Sequence, residues 1–121
     1  MKVKKTLVLG ASKNPARYSY LAIKSLRANN HSVLAIGRQK GKVGDTEIID
    51  ENIQATDIDT ITLYLNPFNQ QTYYNYILSL HPKRIIFNPG TENDELEALA
   101  RQNGIQVLEA CTLVMLSTGQ Y

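Results

Sequence analysis

The residues best suited to chemistry lie in one short segment, Gly10-Ala11-Ser12-Lys13-Asn14-Pro15-Ala16-Arg17, directly after the run Thr6 to Leu9. A glycine at that point lets the chain turn sharply, and Ala11 and Ser12 are small enough for a bulky anion to approach the main chain. Asn14-Pro15 reads as a helix start, with the asparagine as cap and the proline at the first helical position. The open N–H groups of such a helix end carry partial positive charge. Ser12 adds a hydroxyl donor, and Lys13 and Arg17 add full charges. Together they suit a pyrophosphate, although a plain strand-to-helix turn would use many of the same residues. The segment is not G-x-G-x-x-G, because Ala11, Ser12 and Asn14-Pro15 stand where further glycines would, and it contains no Gly-Lys-[Ser/Thr].

The end of the next strand narrows the choice of nucleotide. An NAD site needs an acid about 20 residues beyond the glycine motif to accept bonds from the ribose hydroxyls. Here the chain reads Ile36-Gly37-Arg38-Gln39-Lys40, with no acid. Arg38 and Lys40 suit an additional ribose phosphate, which NADP carries at the 2′ position and coenzyme A at the 3′ position. NAD is disfavoured. Two further strand ends carry Asn66-Pro67 and Asn88-Pro89-Gly90, where ligands of open α/β sheets lie, although Asn-Pro is also a common turn former.

Other reactive side chains lack partners in the sequence. His31 and His81 lie far apart beside helix ends and read as capping or surface residues, and no His/Cys/acid spacing fits zinc. Cys111 follows an apolar strand and reads as a buried thiol. Ser12 has no evident base. Tyr73, Tyr74 and Tyr76 read as a helix face and its edge.

The elements that must hold these residues alternate. Strands are predicted at Lys5 to Leu9, Ser32 to Ile36, Thr60 to Leu65, Arg84 to Phe87 and Ile105 to Leu108. Helices are predicted from Pro15 to about Asn29 (buried stripe Tyr18, Leu21, Ala22, Ser25, Leu26), around Tyr73 to Leu80, and after Thr91-x-x-Asp94. That last helix carries a Glu97–Arg101 pair and ends at Gly104. Gly41 to Ile58 shows no sustained period, beyond a short strand near Glu47 to Ile49. Thr112 to Leu116 fits helix or strand. Strand–helix alternation gives right-handed βαβ units, hence a Rossmann-like three-layer α/β sandwich with a mainly parallel sheet of about five strands.

With 121 residues the chain makes one domain, 1–121, able to build a core without disulfides. One cysteine fits a reducing compartment. The N-terminal apolar run is too short for a secretory signal, and nothing approaches a membrane span, so a cytoplasmic location is expected. Charge is unevenly spread. Met1 to Gly44 holds ten Lys and Arg and no acid, whereas Asp45 to Tyr121 holds three basic residues against eleven acidic ones. The first third therefore meets an anion, a nucleotide or a nucleic acid.

Several blocks resemble the small stand-alone CoA-binding proteins, relatives of the CoA-binding domain in the α subunit of succinyl-CoA synthetase. They are Val8-Leu9-Gly10-Ala11-Ser12 with Pro15 and Arg17-Tyr18-Ser19, then Ile36-Gly37 and Leu63-Tyr64-Leu65-Asn66-Pro67. Pro82 to Asn93 and Glu109-Ala110-Cys111-Thr112-Leu113-Val114 complete them. The resemblance implies coenzyme A lying across the strand ends. Its pyrophosphate would rest on Gly10, Ala11 and Ser12 beside Pro15 and Arg17, its adenosine near Ile36-Gly37-Arg38, and its pantetheine near Asn66-Pro67 and Asn88. The family's ligases add a phosphorylated histidine and a grasp domain, neither of which is found here, so ligase activity is not implied. The expectation is a non-catalytic CoA or acyl-CoA binding module, without membrane or nucleic-acid partners. The alternatives are an NADP(H)-dependent oxidoreductase on the same fold, or nucleic-acid binding through the basic first third. The apolar C-terminal tail offers a contact for a homodimer.

Overall fold

The computed structural model describes residues 2–121. Its strands are β1 (Thr6–Leu9), β2 (Val33–Ile36), β3 (Gly41–Val43), β4 (Thr46–Ile49), β5 (Thr60–Leu63), β6 (Arg84–Phe87) and β7 (Gln106–Glu109). Its helices are α1 (Tyr18–Ala28), α2 (Pro67–Gln70), α3 (Tyr74–Ser79), α4 (Asp94–Gln102) and α5 (Thr112–Ser117). The strands form one sheet in the order β3-β4-β2-β1-β5-β6-β7. Every neighbouring pair is parallel except the β3–β4 hairpin. The sheet thus has seven strands where five were expected. The aperiodic stretch after Ile36 folds as a hairpin about Gly44, whose φ is +58°. β4 matches the short strand expected near Glu47 to Ile49, whereas β3, at three residues, is too short to show a period.

β1, β5 and β6 are buried at every residue, as central parallel strands covered on both faces must be. One face packs on α1 and α5 through Val8, Ile23, Leu26, Ile86 and Leu116. The other packs on α3 and α4 through Leu9, Ile61, Ile77, Phe87 and Leu96. The C-terminal segment resolves as helix, with Leu116 turned inward and Val114 exposed.

Three helix starts depart from expectation. α1 begins three residues late, with Arg17 at its cap position and no side chain capping it. Asn14 instead closes a local turn, its Oδ1 accepting from Ala16 N–H at 3.0 Å and its carbonyl from Arg17 N–H at 3.0 Å. The buried stripe of α1 is Ser19, Ala22, Ile23 and Leu26, which leaves Tyr18 and Leu21 exposed. α4 is capped by Asn93, whose Oδ1 accepts from the N–H groups of Glu95 and Leu96. Thr91 turns its hydroxyl to the Asn88 carbonyl instead. A short α2 precedes α3 and is capped by Asn66, with Pro67 in its first turn.

β1 and β2 end in a backbone-on-backbone contact. The Ile36 carbonyl accepts from both Gly10 and Ala11 N–H, each at 2.9 Å. Gly10 has φ +94°, and a Cβ there would lie 2.9 Å from the carbonyl carbon of Tyr64. At Gly37 a Cβ would fall inside the Ala11 carbonyl oxygen and 3.1 Å from Ile48. Glycine is required at both places by main chain that cannot step aside.

At the opposite end of the strands, His31 is fully buried, not at the surface. Its Nδ1 accepts from Lys4 N–H at 2.9 Å, and its ring lies 4.8 Å from that of Tyr121. Tyr121 also covers the Arg84 guanidinium at 4.4 Å and shares a 2.6 Å hydrogen bond with Thr6. Burial, then the nearby charges of Lys4 and Arg84, hold the His31 pKa below its ordinary 6.5, while Asp59 opposes them weakly.

Two outcomes follow. Gly37→Ala should destabilise the fold by about 2 kcal/mol or more, read from urea unfolding; a neutral substitution would mean that the β1–β2 contact yields. Because the His31 ring is kept neutral, its contribution is complete above pH 6.5 and is lost as pH falls below that value. The urea midpoint should therefore drop between pH 8 and pH 5, and the drop should shrink in His31→Gln. An equal drop in both proteins would assign it to other groups.

Candidate functional site

A cleft of about 1080 Å³ opens at the carboxyl ends of β1, β2, β5 and β6. This is at the upper end of the usual size for a small-molecule site, and it lies where parallel α/β sheets place their ligands. Gly10, Ala11, Ser12, Pro15, Arg17, Gly37, Arg38 and Asn66 line it, all of them residues singled out in the sequence.

The first wall is the loop from Gly10 to Arg17 and the start of α1. Gly10 and Ala11 spend their N–H groups on Ile36, so they shape the loop without offering donors. The N–H groups of Ser12 and Lys13 have no acceptor among the described residues. Those of Tyr18, Ser19 and Tyr20 form the first turn of α1, which nothing caps. Ser12 Oγ accepts from Asn14 N–H at 3.1 Å, which leaves its proton to donate elsewhere. Lys13, Arg17 and Arg38 line this end, and none of them is ion-paired among the described residues. Among the described residues no carboxylate lines the cleft.

The far end is different. Asn66 Oδ1 is committed to Asn69 N–H at 2.9 Å. Pro89, Gly90 and Thr91 form the wall after β6. Pro89 has no N–H; that of Gly90 goes to Glu92 at 2.8 Å and that of Thr91 to the Asn88 carbonyl at 2.9 Å. The wall after β6 thus has almost no backbone hydrogen to give, whereas the N–H groups of Leu65 and Asn66 after β5 have no acceptor among the described residues. Tyr64, Leu65, Asn69, Thr72 and Tyr73 complete the lining with uncharged surface. Burial pushes the Tyr64 hydroxyl up to about 12, although hydrogen bonds to Thr62 and Thr112 pull the other way. It is a neutral phenol.

Three expected residues do not line the cleft. Ile36 is buried and acts through its carbonyl. Pro67 starts α2 and faces solvent. Asn88 is buried, and its amide is fully engaged. Its Nδ2 donates to Thr62 Oγ1 at 2.7 Å and to the Leu63 carbonyl at 2.8 Å, and its Oδ1 accepts from Thr112 N–H at 2.9 Å. It stitches β5, β6 and α5 beneath the site. Cys111 is half-buried at the cap of α5, and Tyr73, read as helix face alone, reaches the cleft. Tyr18 and Ser19 also line the cleft, because α1 begins one turn later than expected and its first turn borders the site.

The chain matches a family profile described as a CoA binding domain over residues 4–117. Among curated proteins no significant match is found. A crystal structure of an uncharacterized protein is 52% identical, with a TM-score of 0.97 and full coverage of both chains. A hypothetical protein from Pyrococcus horikoshii OT3 is similar at 20% identity and TM-score 0.86, over 97% of this chain and 84% of that one. A conserved hypothetical protein from Pyrococcus furiosus is similar at 23% identity and TM-score 0.80, over 92% of this chain and 97% of that one. These two share the fold. Among the described residues no helix is long and apolar enough to cross a membrane. The profile match over residues 4–117, on a Rossmann-like sheet, shows that the chain belongs to the CoA-binding domain family.

Proposed function

We propose that the cleft binds coenzyme A or an acyl-CoA, as a single-domain, non-catalytic carrier site. The observation that carries this reading is the split in hydrogen-bond capacity along the cleft. Among the described residues, open N–H groups and three unpaired cations gather at the β1–β2 end, and the wall of Pro89, Gly90 and Thr91 after β6 is uncharged and donor-poor. A ligand with phosphates at one end and a long uncharged arm at the other matches that split.

In this reading the pyrophosphate lies on the N–H groups of Ser12 and Lys13 and the open turn of α1, with Arg17 beside it. Arg38 meets the 3′-phosphate. The pantetheine arm runs past Leu65 and Asn66 towards Gly90. Among the described residues the lining holds no histidine, cysteine or carboxylate.

Thermal unfolding with coenzyme A, acetyl-CoA, dephospho-CoA, NADP and NAD tests the reading. A ligand at 100 times its Kd adds about 2.7 kcal/mol of stability, so a clear rise in Tm is expected with coenzyme A. A rise with NADP and none with coenzyme A would refute the proposal in favour of a dinucleotide site. Arg38→Ala should weaken coenzyme A about tenfold and leave dephospho-CoA unchanged, because only the former carries the 3′-phosphate. Arg17→Ala should weaken both, as titration calorimetry would read directly. Equal losses for both ligands in Arg38→Ala would move the 3′-phosphate elsewhere.

A further inference from the structure

We infer that Gln70 is the positioning residue for the β5–β6 end of the cleft, and hence for the thiol-bearing arm of the ligand; this rests on the coenzyme A reading above. Gln70 is fully buried in α2. Its Nε2 donates to the Leu65 carbonyl at 2.8 Å and to the Thr91 carbonyl at 2.7 Å. Its Oε1 accepts from Asn93 Nδ2 at 2.8 Å.

Leu65 and Thr91 both line the cleft, one after β5 and the other after β6. One planar amide therefore spans the two walls and fixes the gap between them. Asn93 is anchored in turn by the Tyr74 hydroxyl at 2.8 Å and caps α4, so three helices hold the same clip. The chemistry requires two donors on one atom and an acceptor on the other. An ionised glutamate supplies no donor, and leucine supplies neither. None of these partners lies in the loop from Gly10 to Arg17 or at Arg38, so the clip acts on the arm's end of the cleft alone.

The test compares coenzyme A with adenosine 3′,5′-bisphosphate, which keeps the adenosine end and lacks the arm. Gln70→Glu and Gln70→Leu should weaken coenzyme A about tenfold or more and change the bisphosphate by no more than about twofold. Equal losses for the two ligands, or unchanged coenzyme A affinity, would overturn the inference while leaving the coenzyme A reading intact. A wild-type protein that binds neither ligand would overturn both.

The wild-type protein supplies a second measurement that needs no folded variant. The Gln70 side-chain NH2 signals in ¹⁵N NMR spectra should shift on adding coenzyme A and stay in place with the bisphosphate. Signals that stay in place with both ligands, or move equally with both, would refute the positioning role.

Discussion

Two strand ends pressed together without side chains between them set the geometry of this protein. The Ile36 carbonyl takes two N–H groups from the turn after β1, and Gly37 lies flat against the Ala11 carbonyl. Gly10 meets the main chain of Tyr64 on the other side, so β2, β1 and β5 are drawn to one level. The turn satisfies itself at Gly10 and Ala11, and the N–H groups of Ser12 and Lys13 that follow have no acceptor among the described residues. A local turn closed by Asn14 then carries the chain to Tyr18, where α1 begins. The contact therefore decides which donors face the cleft and which are consumed in holding it.

Beneath the cleft the same task falls to buried amides. Asn88, Gln70 and Asn93 are each enclosed, and each has its donors and its acceptor engaged. A network of this kind is costly when half satisfied and rigid when complete. It ties the loops after β5 and β6 to the neighbouring strands and helices, so the far wall keeps its shape although those loops have no regular structure.

Most of the architecture was legible because β1, β5 and β6 are short, apolar and bounded by clear turn residues. β4 was legible near Glu47 to Ile49, but β3 and its pairing were not, since a three-residue strand at a half-exposed edge carries little periodicity. The three Asn-Pro pairs show a deeper limit. At Asn14 the side chain closes a turn, at Asn66 it caps a helix, and at Asn88 it joins three elements from inside. The dipeptide restricts the backbone in the same way each time, but the partner of the asparagine amide is set by what folds back over it. Gln70 left no local trace for the same reason: its partners at Thr91 and Asn93 are more than twenty residues away. Glycines and cations in the first loop could be read directly, because they serve the ligand through the main chain and through charge rather than through distant contacts.

The uneven spread of charge along the chain becomes a direction in space once the strands are ordered. Lys13, Arg17 and Arg38 stand after β1 and β2, whereas Glu92, Asp94, Glu95 and Glu109 stand around the ends of β6 and β7. Asp50 and Glu51 at the end of β4 offset part of the positive charge, so the rim grades along the sheet from basic after β1 and β2 to acidic after β6 and β7. A molecule with anionic groups at one end feels a torque before it feels a contact, and it arrives already turned. Salt weakens this orienting field over a length of about 10 Å at 0.1 M, so ionic strength governs how readily such a ligand docks the right way round.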